Sequence, residues 1–146
     1  MMIYLNNYNI PSDAKRVYST PENRHKHRWK KNYAGFSDFQ RNIVGKCPND
    51  ITLEQAQNLL EEAITDPPDE FNTDPYPKRL YNVYKGVIYL AIGDGRSNRY
   101  HAFPADNIKS MDKETLRILE ERAIASGDEN SFKKWVEDNA TRRSKL

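Results

Sequence analysis

Three short runs between residues 79 and 104 combine alternating apolar positions with many β-branched and aromatic residues, a pattern that predicts a small antiparallel sheet. The runs cover residues 80–84, 87–92 and 99–103, and turns at Lys85-Gly86 and Gly93-Asp94-Gly95 separate them. In the middle run Ile88, Leu90 and Ile92 would lie on one face, because successive side chains of a strand point to opposite faces. We expect helices to cover that face.

The pattern from Leu53 to about residue 65 predicts a helix. Apolar residues recur there at intervals of three and four, which places them along one helical face. Thr52 and Gln55 have the spacing of a capping box at its start, and Asp66-Pro67-Pro68 would end it. The same spacing of apolar residues predicts helices over about residues 112–126 and 131–139.

Two shorter helices are predicted nearer the N-terminus. Pro21, preceded by Thr20, would begin a polar helix that runs to about Lys31. Ser37 and Gln40 have the spacing of a second capping box, which predicts a helix of about two turns before Gly45.

These elements predict an α+β fold, in which a small antiparallel β-meander (about 79–104) packs with one face against helices at about 53–65, 112–126 and 131–139. A chain of 146 residues fits a single domain, residues 1–146. Its stretches are a basic N-terminal region (1–47), an acidic helix and proline-rich loop (48–75), the meander (76–104) and the C-terminal helices (105–146). We expect the basic region to pack over an edge or the open face of the sheet.

Charge is segregated along the chain although the net charge is only +2. Residues 1–47 contain nine Lys or Arg and three Asp or Glu, whereas residues 48–75 contain eight acids and no base. Residues 76–103 contain five bases and one acid. Such blocks give a folded protein separate positive and negative surfaces, and the positive surfaces can attract polyanions.

The remaining composition favours a soluble cytoplasmic protein. No apolar run approaches the roughly 18–20 residues that cross a bilayer, so no membrane partner is expected. The first residues do not resemble a secretory signal. The chain has one cysteine, Cys47, which excludes an internal disulfide and fits a reducing compartment.

His101 is the main candidate for chemistry. Alternation along the third strand places it on one face with Arg99, and Arg96 and Lys85 lie in the adjacent turns. RNA cleavage without a metal needs a base for the 2′-hydroxyl, an acid for the leaving oxygen and cations for the charge on phosphorus. These four residues provide those types of group. The alternative is a partly buried histidine bonded to the backbone, with arginines that are merely solvated.

A cationic run at residues 24–31 has the composition of a phosphate-contacting arm with one stacking residue. Its candidate nucleic-acid contacts are Arg24, Lys26, Arg28, Trp29, Lys30 and Lys31. The alternative is a solvated helix held by Trp29. The pair His25 and His27 diverges by about 200° in a helix, and the chain offers few further soft ligands. We therefore predict no metal site and no cofactor.

Three segments resemble a group of small bacterial proteins, some of which are found beside or within polymorphic toxin systems. They are P-K-R-L-Y-N-V-Y-K-G-V-I-Y-L-A, then Y-H-A-F-P, then F-K-K-W-V, and the resemblance covers about residues 45–139. It implies a bacterial protein of a toxin system in which the histidine of the Y-H-A-F-P segment, His101, is the functional one. It carries no established activity.

Two functions are compatible with these patterns. The first is a toxin-type domain that acts on RNA through metal-independent phosphodiester cleavage, with His101 as acid or base. The second is a non-enzymatic module that binds protein or nucleic acid through a tyrosine-rich, basic hairpin face with Tyr81, Tyr89 and Phe103. The partners expected are RNA or another polyanion, or a protein such as an immunity protein. The sequence does not decide whether the protein is an enzyme.

Overall fold

The computed structural model describes residues 16–18, 31–39, 42–48, 51–69 and 74–139. The strands are β1 (Val17–Tyr18), β2 (Gly35–Phe39), β3 (Asn42–Lys46), β4 (Arg79–Tyr84), β5 (Val87–Ile92) and β6 (Arg99–Pro104). The helices are α1 (Leu53–Glu61), α2 (Lys113–Ala125) and α3 (Glu129–Asn139), with a short 3-10 turn at Ile108–Ser110 before α2. Among the described residues, no helix has the length and apolar character needed to cross a bilayer.

The predicted meander is confirmed, and the α+β class with it. Strands β4, β5 and β6 are antiparallel neighbours, and their bounds differ from the predicted ones by one residue at most. The two-residue strand β1 adds to β6 in parallel, with Val17 opposite Arg99 and Tyr18 opposite Tyr100. The result is a mixed sheet of order β1-β6-β5-β4, and β2 and β3 form a separate hairpin.

The hairpin of β2 and β3 shows that the helix predicted after Ser37 is wrong. Five residue pairs, from Gly35↔Lys46 to Phe39↔Asn42, form its ladder. A helix of two turns is only marginally stable, because nucleation costs more than its few hydrogen bonds return. The hairpin gains a distant contact instead, since the ring of Phe36 stacks on Trp135 of α3 with centroids 5.7 Å apart. The helix predicted from Pro21 lies outside the described residues, except for Lys31, which is in a bend.

Helix α1 begins as predicted and ends earlier. The Thr52 side chain accepts a bond from the backbone of Gln55, and the Gln55 side chain accepts one from the backbone of Thr52. The helix stops at Glu61 because Ile64 pairs with Tyr81 of β4: each backbone N–H donates to the other residue's carbonyl, at 2.9 and 2.7 Å. The residues predicted as the last turn of the helix therefore pair with the sheet instead.

Helices cover both faces of the sheet, which corrects the prediction of one covered face. On the front face, side chains of all three meander strands pack with α2 and α3 in one cluster that includes Val83, Ile88, Leu119 and Phe132. On the back face, Leu80, Ala91 and Tyr100 pack with Leu60 of α1 and with Ala63. Both β4 and β5 carry apolar side chains on each of their two faces. Helices must therefore pack on both faces to remove these side chains from water.

Three side chains from distant parts of the chain cap the C-terminus of α1. Arg16 Nη1 donates to the carbonyls of Leu60 and Ala63 at 2.9 and 2.8 Å. Asn82 Nδ2 donates to Leu59, and Arg122 Nη1 donates to Glu62. The last carbonyls of a helix have no partner within it, and a cation there also complements the helix dipole. This junction ties β1, β4 and α2 to one helix end.

Candidate functional site

His101 lies in a row of three residues that crosses the sheet. On β5, Ile92 is opposite His101 of β6 on one side and Arg79 of β4 on the other. Residues directly opposite in antiparallel strands point to the same face. His101 and Arg79 are therefore on the front face, on either side of Ile92. The imidazole is partly exposed, and its centroid is 6.0 Å from that of the Phe103 ring.

Arg99 shares the strand and the face of His101. Two residues along a strand correspond to about 6.5 Å between the Cα atoms, which is within the reach of an arginine side chain. Arg99 is exposed at the start of β6. The prediction that His101 and Arg99 lie on one face is confirmed.

Arg96 projects from the loop that joins β5 to β6. The carboxylate of Asp94 folds this loop, because Oδ1 accepts hydrogen bonds from the backbone N–H groups of Arg96 and Ser97 at 2.8 and 2.9 Å. Those two bonds hold the pKa of the Asp94 carboxyl below its ordinary value. The Asp94 carboxylate is therefore bonded within its own loop, and the Arg96 side chain is exposed.

Lys78 and Arg79 join this end of the sheet from β4. The backbone N–H of Gly93 donates to the carbonyl of Lys78 at 2.9 Å. The Lys78 side chain also crosses Gly95: its Cε lies 2.9 Å from the place where a Cβ would stand. We call the set of Lys78, Arg79, Arg96, Arg99 and His101 the basic sheet end.

Lys85 lies at the opposite end of the sheet, so its predicted place beside His101 is wrong. It occupies the β4–β5 turn with a φ of 51°. The row of His101 meets β5 at Ile92, and five residue steps from Val87 to Ile92 span roughly 17 Å. The Lys85 ammonium lies 5.5 Å from the centroid of the Tyr84 ring. Lys85 was grouped with His101 because the two residues are close in sequence. The length of β5 separates them in space.

Arg79, and not Lys85, is the cation that shares the row of His101 across the sheet. Burial raises the pKa of the Tyr81 hydroxyl, two residues along on the same face, and the charge of Arg79 acts in the opposite direction. That hydroxyl also accepts a bond from Asn107 Nδ2 at 2.7 Å. The signal that could have found Arg79 is the strand register, which depends on how β4 pairs with β5.

The tyrosine-rich binding face is not present as predicted. Tyr81 and Tyr89 are 1% and 8% exposed. They also point to opposite faces, because Tyr81 belongs to the front and Tyr89 is an odd number of residues from Ile88. Phe103 is partly exposed on the front. A flat surface of these three rings is therefore excluded.

Most of the predicted nucleic-acid arm lies outside the described residues, including Arg24, Lys26, Arg28, Trp29 and Lys30. The same holds for His25 and His27. Lys31 is exposed, and its ammonium lies 5.6 Å from the centroid of the exposed Tyr33 ring. Within the described ranges, no group of three or more His, Cys, Asp or Glu side chains could hold a metal ion.

An apolar cavity of about 50 Å³ lies on the other side of the sheet, between α1 and the back face. Small side chains leave this space, among them Ala56, Ala91 and Ala102, and the buried thiol of Cys47 lies at its wall. The Cys47 thiol donates to the carbonyl of Ala102 at 3.5 Å. The lining is almost entirely apolar, and it includes no carboxylate, imidazole, lysine or arginine side chain.

Comparison with known proteins gave no matching family model, no significantly similar curated protein and no significantly similar solved structure. The function is therefore inferred from the chemistry of the basic sheet end.

Proposed function

We propose that the protein acts on RNA at the basic sheet end, with His101 as the acid or base of a metal-independent phosphodiester cleavage. The observation that carries this proposal is the row of Arg79, Ile92 and His101. Arg79 of this row and Arg99, two residues before His101 on its own strand, lie on the same face of the sheet as the imidazole. Imidazole is the side chain whose proton exchange falls near neutral pH.

The chemistry follows from these groups. The neutral imidazole of His101 would take the proton of a 2′-hydroxyl, and the freed oxygen would attack the adjacent phosphorus. The bond from phosphorus to the 5′ oxygen then breaks, leaving a 2′,3′-cyclic phosphate. The 5′ oxygen takes a proton from water or from the imidazolium. Arg79, Arg96 and Arg99 would stabilise the negative charge that increases on the phosphoryl oxygens.

Binding of RNA without cleavage is the second candidate. Cleavage uses both a base and an acid, and among the described residues of the basic sheet end His101 is the only imidazole. The loop carboxylate, Asp94, is engaged by two backbone N–H groups. In a toxin system, an immunity protein would have to cover this same end of the sheet, with acidic side chains that complement it.

The test is cleavage of single-stranded RNA by purified protein in the presence of EDTA. The wild-type protein should release fragments that end in a 2′,3′-cyclic phosphate. His101→Ala should reduce the rate by about 10²–10⁴-fold with an unchanged thermal midpoint. Lys85→Ala, at the other end of the sheet, is the control and should retain the rate.

The possible results separate the two candidates. If RNA is bound and neither protein cleaves it, the binding module is the function. If His101→Ala cleaves as fast as the wild type, the imidazole is not the acid or base. If His101→Ala unfolds, the histidine is structural.

A further inference from the structure

We infer that two copies of this chain associate face to face through the groove between α2 and α3, with the two α2 helices antiparallel across the contact. In this arrangement Lys113 of each copy pairs with Glu120 of the other. The groove shares no residue with the basic sheet end, so this association is independent of the proposed function.

The groove between the two C-terminal helices has a volume of about 420 Å³ and a mainly apolar lining. Leu116, Phe132 and Val136 provide its apolar side chains. Phe132 is buried, whereas Leu116 and Val136 stay partly exposed although both helices pack on the sheet. Ile124, one helical turn beyond Glu120, is 47% exposed and extends the apolar stripe of α2. A partner that covers these side chains gains the free energy of removing them from water.

Each of the two helices contributes one lysine followed by one glutamate to the groove. On α2, Lys113 lies about 10 Å before Glu120, and on α3, Lys133 lies about 6 Å before Glu137. A short turn at residues 126–128 joins the helices, so they run antiparallel and each lysine lies across from the glutamate of the other helix. The four charges therefore alternate in sign at the corners of the groove.

This charge pattern is complementary to itself. A two-fold axis that crosses the groove places the lysine end of α2 over the glutamate end of α2 in the second copy, and does the same for α3. An axis along the groove would instead place α2 over α3, and would have to match a spacing of about 10 Å with one of about 6 Å. The crossing axis matches each spacing with itself. A partner whose charge has one sign would meet two like charges in either orientation.

The two charges of α2 that this contact uses are not engaged in close ion pairs within the described part of the chain. Lys113 and Glu120 take part in none of the ion pairs between described side chains, whereas Arg117, which lies between them, is paired with Glu114 and Glu121. Charges beside an apolar helical seam set the choice of partner and the orientation of the helices. Lys113 and Glu120 can therefore fix the antiparallel arrangement.

The size of the contact predicts a weak dimer. The 13 residues of α2 span about 20 Å, and two adjacent helices form a face of about the same width. This gives roughly 400 Å² for each copy, about half of what a stable protein interface buries. Association should therefore depend on concentration, and sedimentation equilibrium of the full chain between about 1 μM and 1 mM covers the expected dissociation constants.

Lys113→Glu and Glu120→Lys form a complementary pair for the test. Each variant alone would place like charges at both contacts between α2 helices, and should dimerise at least about 10-fold more weakly than the wild type. An equimolar mixture should recover most of the wild-type affinity, because each lysine again faces a glutamate. Lys134→Glu is the control and should dimerise like the wild type, since Lys134 lies outside the groove and its side chain is 79% exposed.

Three results would overturn the inference. A wild-type protein that stays monomeric at about 1 mM would show that the groove serves a partner other than a second copy. Dimerisation of both variants with wild-type affinity would place the interface elsewhere. Weak dimerisation of the variants that the mixture does not restore would exclude the antiparallel contact between α2 helices. Thermal unfolding of each variant checks that the fold is retained.

Discussion

Arg16 and Leu60 are 44 residues apart and are joined by a buried hydrogen bond of 2.9 Å from the guanidinium to the helix carbonyl. The same nitrogen donates to Ala63, and Arg16 is only 3% exposed. One side chain thus fixes β1, which pairs with β6 beside Arg99, to the end of α1. The basic sheet end is supported on this side by a helix C-terminus.

Arg16→Met should destabilise the protein by about 1.5–3 kcal/mol, because it leaves buried carbonyls without the charged donor that satisfied them. Arg117→Met is the control. Arg117 also pairs with two groups, Glu114 and Glu121, but its side chain is 52% exposed. Solvated ion pairs of this kind contribute less than about 1 kcal/mol. Urea unfolding of both variants gives the comparison, and an equal loss in the two would contradict the capping by Arg16.

Gly86 should tolerate a methyl group less well than Gly127. Both have positive φ, at 83° and 82°, so a Cβ at either position carries backbone strain of about 1–2 kcal/mol. A Cβ at Gly86 would also lie 2.7 Å from the backbone nitrogen of Phe132, whereas at Gly127 nothing is within 4 Å. Gly86→Ala should therefore have the lower unfolding midpoint. Equal midpoints would show that the β4–β5 turn does not press against α3.

Stability should fall as pH rises from about 10 to about 12, in part because of Tyr100. Burial raises the pKa of this hydroxyl from 10.0 to about 12, while the charge of Arg16 acts in the opposite direction. The hydroxyl donates to the carbonyl of Pro77 at 2.7 Å. In that pH range the folded state keeps a proton that the unfolded state has lost, so unfolding becomes easier.

Tyr100→Phe removes this contribution and should give a shallower decline of the urea midpoint with pH. The variant should also be less stable than the wild type at neutral pH, because the hydrogen bond to Pro77 is lost. Some decline should persist, since burial raises the pKa of Tyr81 as well. Parallel pH profiles for the two proteins would exclude Tyr100 as a source of the alkaline destabilisation.

The meander and the start of α1 could be predicted because their signals are local. Glycine turns separated strands with a two-residue period, and the capping box needed only Thr52 and Gln55. The secondary structure at Ser37, in contrast, depends on residues that are distant in the sequence. Its capping pattern was outweighed by a full ladder between β2 and β3 and by the stacking of Phe36 on Trp135, 99 positions later in the chain.

The candidate site was predictable only within one strand. Alternation along β6 correctly placed Arg99 beside His101. The partner across the sheet depended on the pairing of β4 with β5, and only the register Arg79↔Ile92 brings that arginine into the row. Lys85 is closer to His101 in sequence than Arg79 is, but an entire strand separates them in space. Sequence distance is a poor guide to position in a sheet.

The most direct test of a nucleic-acid site at the basic sheet end is a two-dimensional ¹H–¹⁵N NMR titration of the labelled protein with single-stranded 2′-O-methyluridine. We expect the largest changes in chemical shift on the backbone amides of residues 78–79 and 93–101. The amides of the turn at residues 84–87 should be unaffected. Largest changes at that turn or on α2 and α3, or no changes at all, would contradict such a site.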